Sequence, residues 1–95
     1  LVIGISYDDN IGTAKQIIEG IIGADERILA DPAPVIAVSE LADSSVNLVV
    51  RPWVSTADYW AVRFHLLETI KVKLEEGGIS IPFPQRDVHI YNENT

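Results

Sequence analysis

The sequence predicts an α+β domain of the ferredoxin-like βαββαβ kind, a two-layer sandwich. Three observations predict it. The spacing of apolar residues switches from period two to helical period and back along the chain. The segments so read run strand, helix, strand, strand, helix, extended stretch, strand. A short polar turn, too short for a crossover, joins the two middle strands, which pairs them antiparallel. Two helices would then cover one face of a mixed sheet.

Leu1 to Tyr7 alternates, with Ile3, Ile5 and Tyr7 on one face and Val2, Gly4 and Ser6 on the other. Asp8-Asp9-Asn10 ends the strand and supplies a helix N-cap, Asn10 or Asp9. From Ile11 the period lengthens. Ile11, Ala14, Ile17, Ile18, Ile21 and Ile22 fall on one helical face, and Lys15, Gln16 and Glu19 take the other. Gly12 and Gly20 each weaken this helix by about 1 kcal/mol relative to Ala, so packing must hold it. Gly23 is the expected stop.

Ala24 to Pro34 reads as a connection with a small apolar insert, Ile28-Leu29. Val35 to Leu41 reads as the second strand and Val46 to Trp53 as the third, joined by Ala42-Asp43-Ser44-Ser45. The third strand places Val46, Leu48 and Val50 on one side. Ser55-Thr56-Ala57-Asp58 resembles a capping box with Asp in place of Glu. A long helix from Thr56 to Glu76 follows, with an expected buried stripe of Trp60, Phe64, Leu67, Ile70 or Lys71, and Leu74. Gly77-Gly78 ends it. Ile79 to Gln85 is apolar and stiffened by two prolines, and Asp87 to Tyr91 is a short alternating strand.

Ninety-five residues make one domain, and a hydrophobic fraction of 47% is that of a folded chain. There is no cysteine, which excludes disulfides, thiolate zinc and iron–sulfur ligation. The net charge is −7 and the seven basic residues are scattered, so neither nucleic acid nor an anionic membrane surface is an expected partner. No apolar run approaches the ~20 residues that span a bilayer. The chain starts at Leu1 already inside a strand, and more protein is expected upstream.

Candidate chemistry is sparse. His65 and His89 lack a third ligand for a metal, and His65 reads as a helix-surface residue. No strained Gly-x-Ser-x-Gly elbow accompanies the letters of a triad. Asp8-Asp9 and Glu75-Glu76 read as helix-end carboxylates, one pair capping and one solvated. Neither a calcium loop nor a phosphate-binding loop has its spacing here. Trp53, Tyr59, Trp60 and Phe64 cluster near the second helix, where core packing, an interface or a ligand-stacking platform are the readings. The Pro-Phe-Pro segment has three: a rigid linker, a ligand for a proline-reading domain, or a strap that directs the final strand away from its own sheet. Such a strand would need a partner from another chain, because a lone strand exposes unpaired N–H and C=O groups.

At Gly78-Ile79-Ser80-Ile81-Pro82-Phe83-Pro84-Gln85 the chain resembles the small-conductance mechanosensitive channel (MscS) family, whose members commonly carry such a stretch near the C-terminus. Ile3-Gly4-Ile5-Ser6-Tyr7-Asp8, Arg27-Ile28-Leu29 and Val49-Val50-Arg51-Pro52-Trp53 are similar to the family as well. The resemblance implies the cytoplasmic α/β domain of a channel in the bacterial inner membrane that releases solutes on osmotic downshock. It implies identical subunits as partners, a heptamer in the full channel, with the final strands joined in a parallel barrel. Membrane contact would come only through upstream segments. Residues 1–78 would form the sandwich, and residues 79–95 the strap and assembly strand. Pro82, Phe83, Pro84 and Gln85 would place that strand, and Val88, Ile90 and Tyr91 would pair it. No catalytic residue, metal or cofactor is expected. The alternative is a ferredoxin-like regulatory domain that senses a small molecule.

Overall fold

The computed structural model describes residues 1–82. Its elements are β1 (Val2–Ile5), α1 (Ile11–Gly23), β2 (Val35–Leu41), β3 (Val46–Arg51), a 3-10 turn (Thr56–Asp58) and α2 (Tyr59–Glu76). The three strands lie in the order β1-β3-β2. Both pairings are antiparallel, so the described strands form no mixed sheet. The arrangement is the α+β sandwich that the segment order predicts. The expected last strand, Asp87 to Tyr91, lies outside the described residues.

Alternation sets the sheet's two faces. Ile3, Ile5, Val46, Leu48 and Val50 are buried and meet Ala14, Ile18 and Ile22 of α1 and Val62, Leu66, Ile70 and Leu74 of α2 in one core. β2 spans the residues expected of it, with a bulge between Val38 and Glu40 that interrupts the register on β3. β1 is shorter than its alternation suggests. It ends at Ile5, and Tyr7 stands exposed in the turn, where its hydroxyl donates to the Ala42 carbonyl. β3 ends at Arg51, short of the expected Trp53 and immediately before Pro52. The apolar insert has a use: Ile28 bridges to Val54, and Leu29 donates its N–H to the Trp53 carbonyl at 2.7 Å.

Asn10 caps α1 by accepting from the Thr13 N–H at 2.9 Å. Gly23 is the last helical residue rather than a left-handed stop, and the cap, Ala24, stays right-handed. The first turn of the expected second helix is a 3-10 turn. There the Ser55 hydroxyl donates to the Asp58 carboxylate at 3.2 Å, and no side chain caps the backbone.

The largest correction concerns the face that α2 buries. The buried row is Val62, Leu66, Ile70 and Leu74. Of the expected stripe, Ile70 and Leu74 belong to that row, whereas Trp60 is 61% exposed, Phe64 62% and Leu67 39%. The helix carries apolar residues on two sides, so helical period alone does not choose between them. Charge does: the row through Trp60 and Phe64 runs on to Glu68 and Lys71, whereas the buried row is aliphatic throughout.

Candidate functional site

The end of α2 and the start of the strap form a designed turn. Gly78 has φ of +83°, a left-handed conformation that side chains other than hydrogen disfavour. Its N–H donates to the Glu75 carbonyl at 3.1 Å, and the Ile79 N–H donates to the Leu74 carbonyl at 2.8 Å. This pair of bonds, reaching back three and five residues, is the Schellman closure of a helix. It drops Ile79 into the core, where only 5% of it is exposed. At Gly77 a Cβ would sit 2.6 Å from the Ile17 Cδ1 of α1, so a side chain there would require that methyl group to shift.

Beyond Ile79 the strap docks on the end of β1. The Ser6 N–H donates to the Ser80 carbonyl at 3.1 Å. The Asp9 carboxylate accepts from the Ser6 N–H at 3.1 Å and, through the same oxygen, from the Ser80 N–H at 2.8 Å. Asp9 therefore does not cap α1. Its carboxylate ties two backbone segments from opposite ends of the chain. Ile81 packs against the core, and Pro82 is half-buried.

The ladder between β1 and β3 defines the edge that the strap meets. Leu1 and Val50 exchange both of their hydrogen bonds, at 2.9 and 2.8 Å. Bonded pairs alternate in an antiparallel ladder, so Ile3 and Ile5 also face β3. Val2, Gly4 and Ser6 then turn their N–H and C=O groups to the outer edge of β1, and Ser80 joins that edge at Ser6.

Of the residues expected to place and pair the final strand, Pro82 alone falls among the described residues. Phe83, Pro84, Gln85, Val88, Ile90 and Tyr91 lie outside them. In sequence Asp9 stands at the helix end, where Asn10 rather than Asp9 supplies the cap. No local signal links it to Ser80, since the bond joins residues 71 apart.

The aromatic cluster is real but external. Tyr59 and Trp60 stack edge to face at a 5.0 Å centroid distance, and Trp60 and Phe64 lie 5.8 Å apart. A groove of about 420 Å³ beside them is lined by Leu1, Pro52, Trp53, Tyr59, Arg63 and their neighbours, but Trp60 and Phe64 do not line it. A second groove, about 640 Å³, runs between α1 and α2 past Asp25, Arg27, His65 and Lys73. Arg27 grips Asp25 there with three donors, its own backbone N–H at 3.0 Å, Nε at 3.0 Å and Nη2 at 2.9 Å. Those bonds hold the Asp25 carboxyl below the ordinary aspartate range, against burial, which acts the other way. His65 stands on the helix surface, 3.5 Å from the Thr69 hydroxyl. Glu75 pairs with Lys71 at 3.0 Å, a solvated helix pair. Among the described residues no three His, Asp or Glu side chains converge as metal ligands, and no helix is long and apolar enough to cross a membrane.

Comparison with known proteins places these features in a wider set. Residues 1–81 match the family model described as Mechanosensitive ion channel MscS, C-terminal. An MscS family protein of Synechocystis is 47% identical over 95 residues, covering 100% of this chain and 32% of that protein. A small-conductance mechanosensitive channel of Edwardsiella ictaluri is 45% identical over 91 residues, covering 96% of this chain and 32% of the channel. The crystal structure of Helicobacter pylori MscS in its closed state superposes with a TM-score of 0.83 at 31% identity, over 98% of this chain and 37% of that one. The chain thus spans about a third of the length of the relatives it matches.

Proposed function

The chain belongs to the MscS mechanosensitive ion channel family, whose C-terminal region it matches, and from that premise we infer that it is a non-catalytic assembly domain of a tension-gated channel. In this reading the sandwich forms part of a cage on the cytoplasmic side of a bacterial inner membrane. The channel releases solutes on osmotic downshock, and its subunits are copies of one chain, seven in the reading drawn from the resemblance. Residues 79–95 are the strap and assembly strand, and residues 1–78 the body that carries them.

The observation that carries this reading is the register of the strap on β1. Ser80 faces the outer edge of β1 through its carbonyl. A strand continuing along that edge, in either direction, must present an N–H at every second residue. Those residues are Pro82 and Pro84, and neither has one. The prolines therefore deny the tail a place as the fourth strand in that register. Asp87 to Tyr91, an alternating segment with apolar Val88, Ile90 and Tyr91, is left to pair elsewhere. Equivalent strands of identical subunits satisfy one another's backbone without leaving an edge when they close as a barrel.

Cysteine placed at Ile90 of the full-length protein tests this directly. Oxidation is expected to give a ladder of covalent oligomers, and Ile90→Asp to weaken assembly by placing charge in a packed interface. Membrane patches carrying the protein should pass current under suction. Monomers only, or patches silent under tension, would overturn the reading.

A further inference from the structure

The carboxylate of Asp9 has no task in its own helix, because Asn10 caps α1. Its task lies in the strap. One oxygen holds the N–H of Ser80 and the N–H of Ser6 together, at 2.8 and 3.1 Å. The Asp9 backbone N–H donates in turn to the Ser6 carbonyl at 3.0 Å, which fixes the carboxylate over the strand end. Bonds from backbone N–H to a carboxylate are charge-assisted and stronger than those between neutral groups.

The position of this tie gives it leverage. Upstream, Ile79 is anchored in the core. Downstream, Pro82 and Pro84 restrict the backbone to extended geometry. Two prolines within three residues limit how the backbone can bend just past Ser80, so the direction set at Ser80 bears on where the following segment can reach. Without Asp9, the remaining backbone bond between the strap and β1 at this point is the 3.1 Å contact from the Ser6 N–H to the Ser80 carbonyl.

We propose that the Asp9 carboxylate is a latch that sets where and in which direction the strap leaves the sandwich, which makes Asp9 a positioning residue for docking of the final strand. The proposal rests on the assembly reading above for its consequence, but the latch itself can be measured alone. Asp8, whose side chain makes no described hydrogen bond, serves as the control.

Hydrogen–deuterium exchange on the intact protein reads the latch. In Asp9→Ala the Ser80 amide is expected to exchange roughly tenfold faster, with the Leu48 and Leu66 amides unchanged. Asp9→Asn, which keeps a carbonyl acceptor without the charge, should fall between, and Asp8→Ala should match the parent. If Asp9→Ala loosens the core amides too, Asp9→Asn decides. Cross-linking through cysteine at position 90 reads the positioning, and its yield should fall several-fold in Asp9→Ala. Unchanged exchange at Ser80 overturns the latch. Faster exchange with undiminished cross-linking overturns its positioning role. No cross-linking even with Asp9 present overturns the assembly reading, while the Ser80 amide still judges the latch.

Discussion

The two faces of α2 make an instructive contrast. One carries Val62, Leu66, Ile70 and Leu74, all aliphatic and all buried. The other carries Trp60 and Phe64, the larger side chains, with more than half of each in solvent. Burial therefore does not follow side-chain size here. A two-layer sandwich leaves a thin space between helix and sheet, already occupied by Ile3, Ile5, Leu48 and Val50. A row at four-residue spacing with uniform aliphatic volume fills such a layer without gaps. It also ends at Leu74, where Ile79 folds back beside it.

Truncation on either face gives the sharpest way to break this contrast. Leu66→Ala opens a cavity in the core and is expected to cost about 2–5 kcal/mol in urea unfolding. Phe64→Ala removes a surface ring and should change the stability of the domain by less than about 0.5 kcal/mol. A result in which Phe64→Ala is the more damaging would reverse the orientation of the helix.

The buried face extends through the glycine turn into the strap, and that continuation can be probed next. Gly78→Ala forces a side chain into the left-handed region and should cost about 1–2 kcal/mol, read as a lowered melting temperature. An unchanged melting temperature would mean that the turn relaxes and that Ile79 does not depend on it. Beside the strap, next to Asp9, Asn10→Ala removes the cap of α1 and should cost about 1 kcal/mol by the same measurement. A null result there would assign the cap to another group.

The connection after α1, where Asp25 and Arg27 border the groove against α2, supplies the smallest effect, a pH dependence. Arg27 lowers the Asp25 carboxyl in the folded chain. A lowered carboxyl stabilises the fold while ionised. Its contribution is complete above the ordinary aspartate value, about 3.9, and is lost as pH falls through the lowered folded value. Melting curves from pH 6 to pH 3 should show the parent losing more stability than Asp25→Asn in the acid range. Parallel curves would show that the pair contributes nothing to folding.

Much of this could be seen in the letters. Where an element is apolar on one side and polar on the other, period and face agree. The faces of β1 and β3, the span of β2 and the inward Ala14, Ile18 and Ile22 of α1 follow from that rule. The stops at Gly77-Gly78 follow from backbone freedom. On α2 the helical period fits two apolar faces, and the charges at Glu68 and Lys71 are what mark the outer one.

By itself, then, the sequence determined the order of the described elements and the pairing of β2 with β3 through a polar turn. These are properties of neighbouring residues: periodicity and turn chemistry. The tertiary structure alone decided that Asp9 would serve Ser80 rather than α1, that Leu29 would bond Trp53, and that Ile79 would complete the core. Each of these joins groups far apart along the chain. Their energy depends on which surfaces the packed layers bring within about 3 Å of each other, and no local pattern carries that distance.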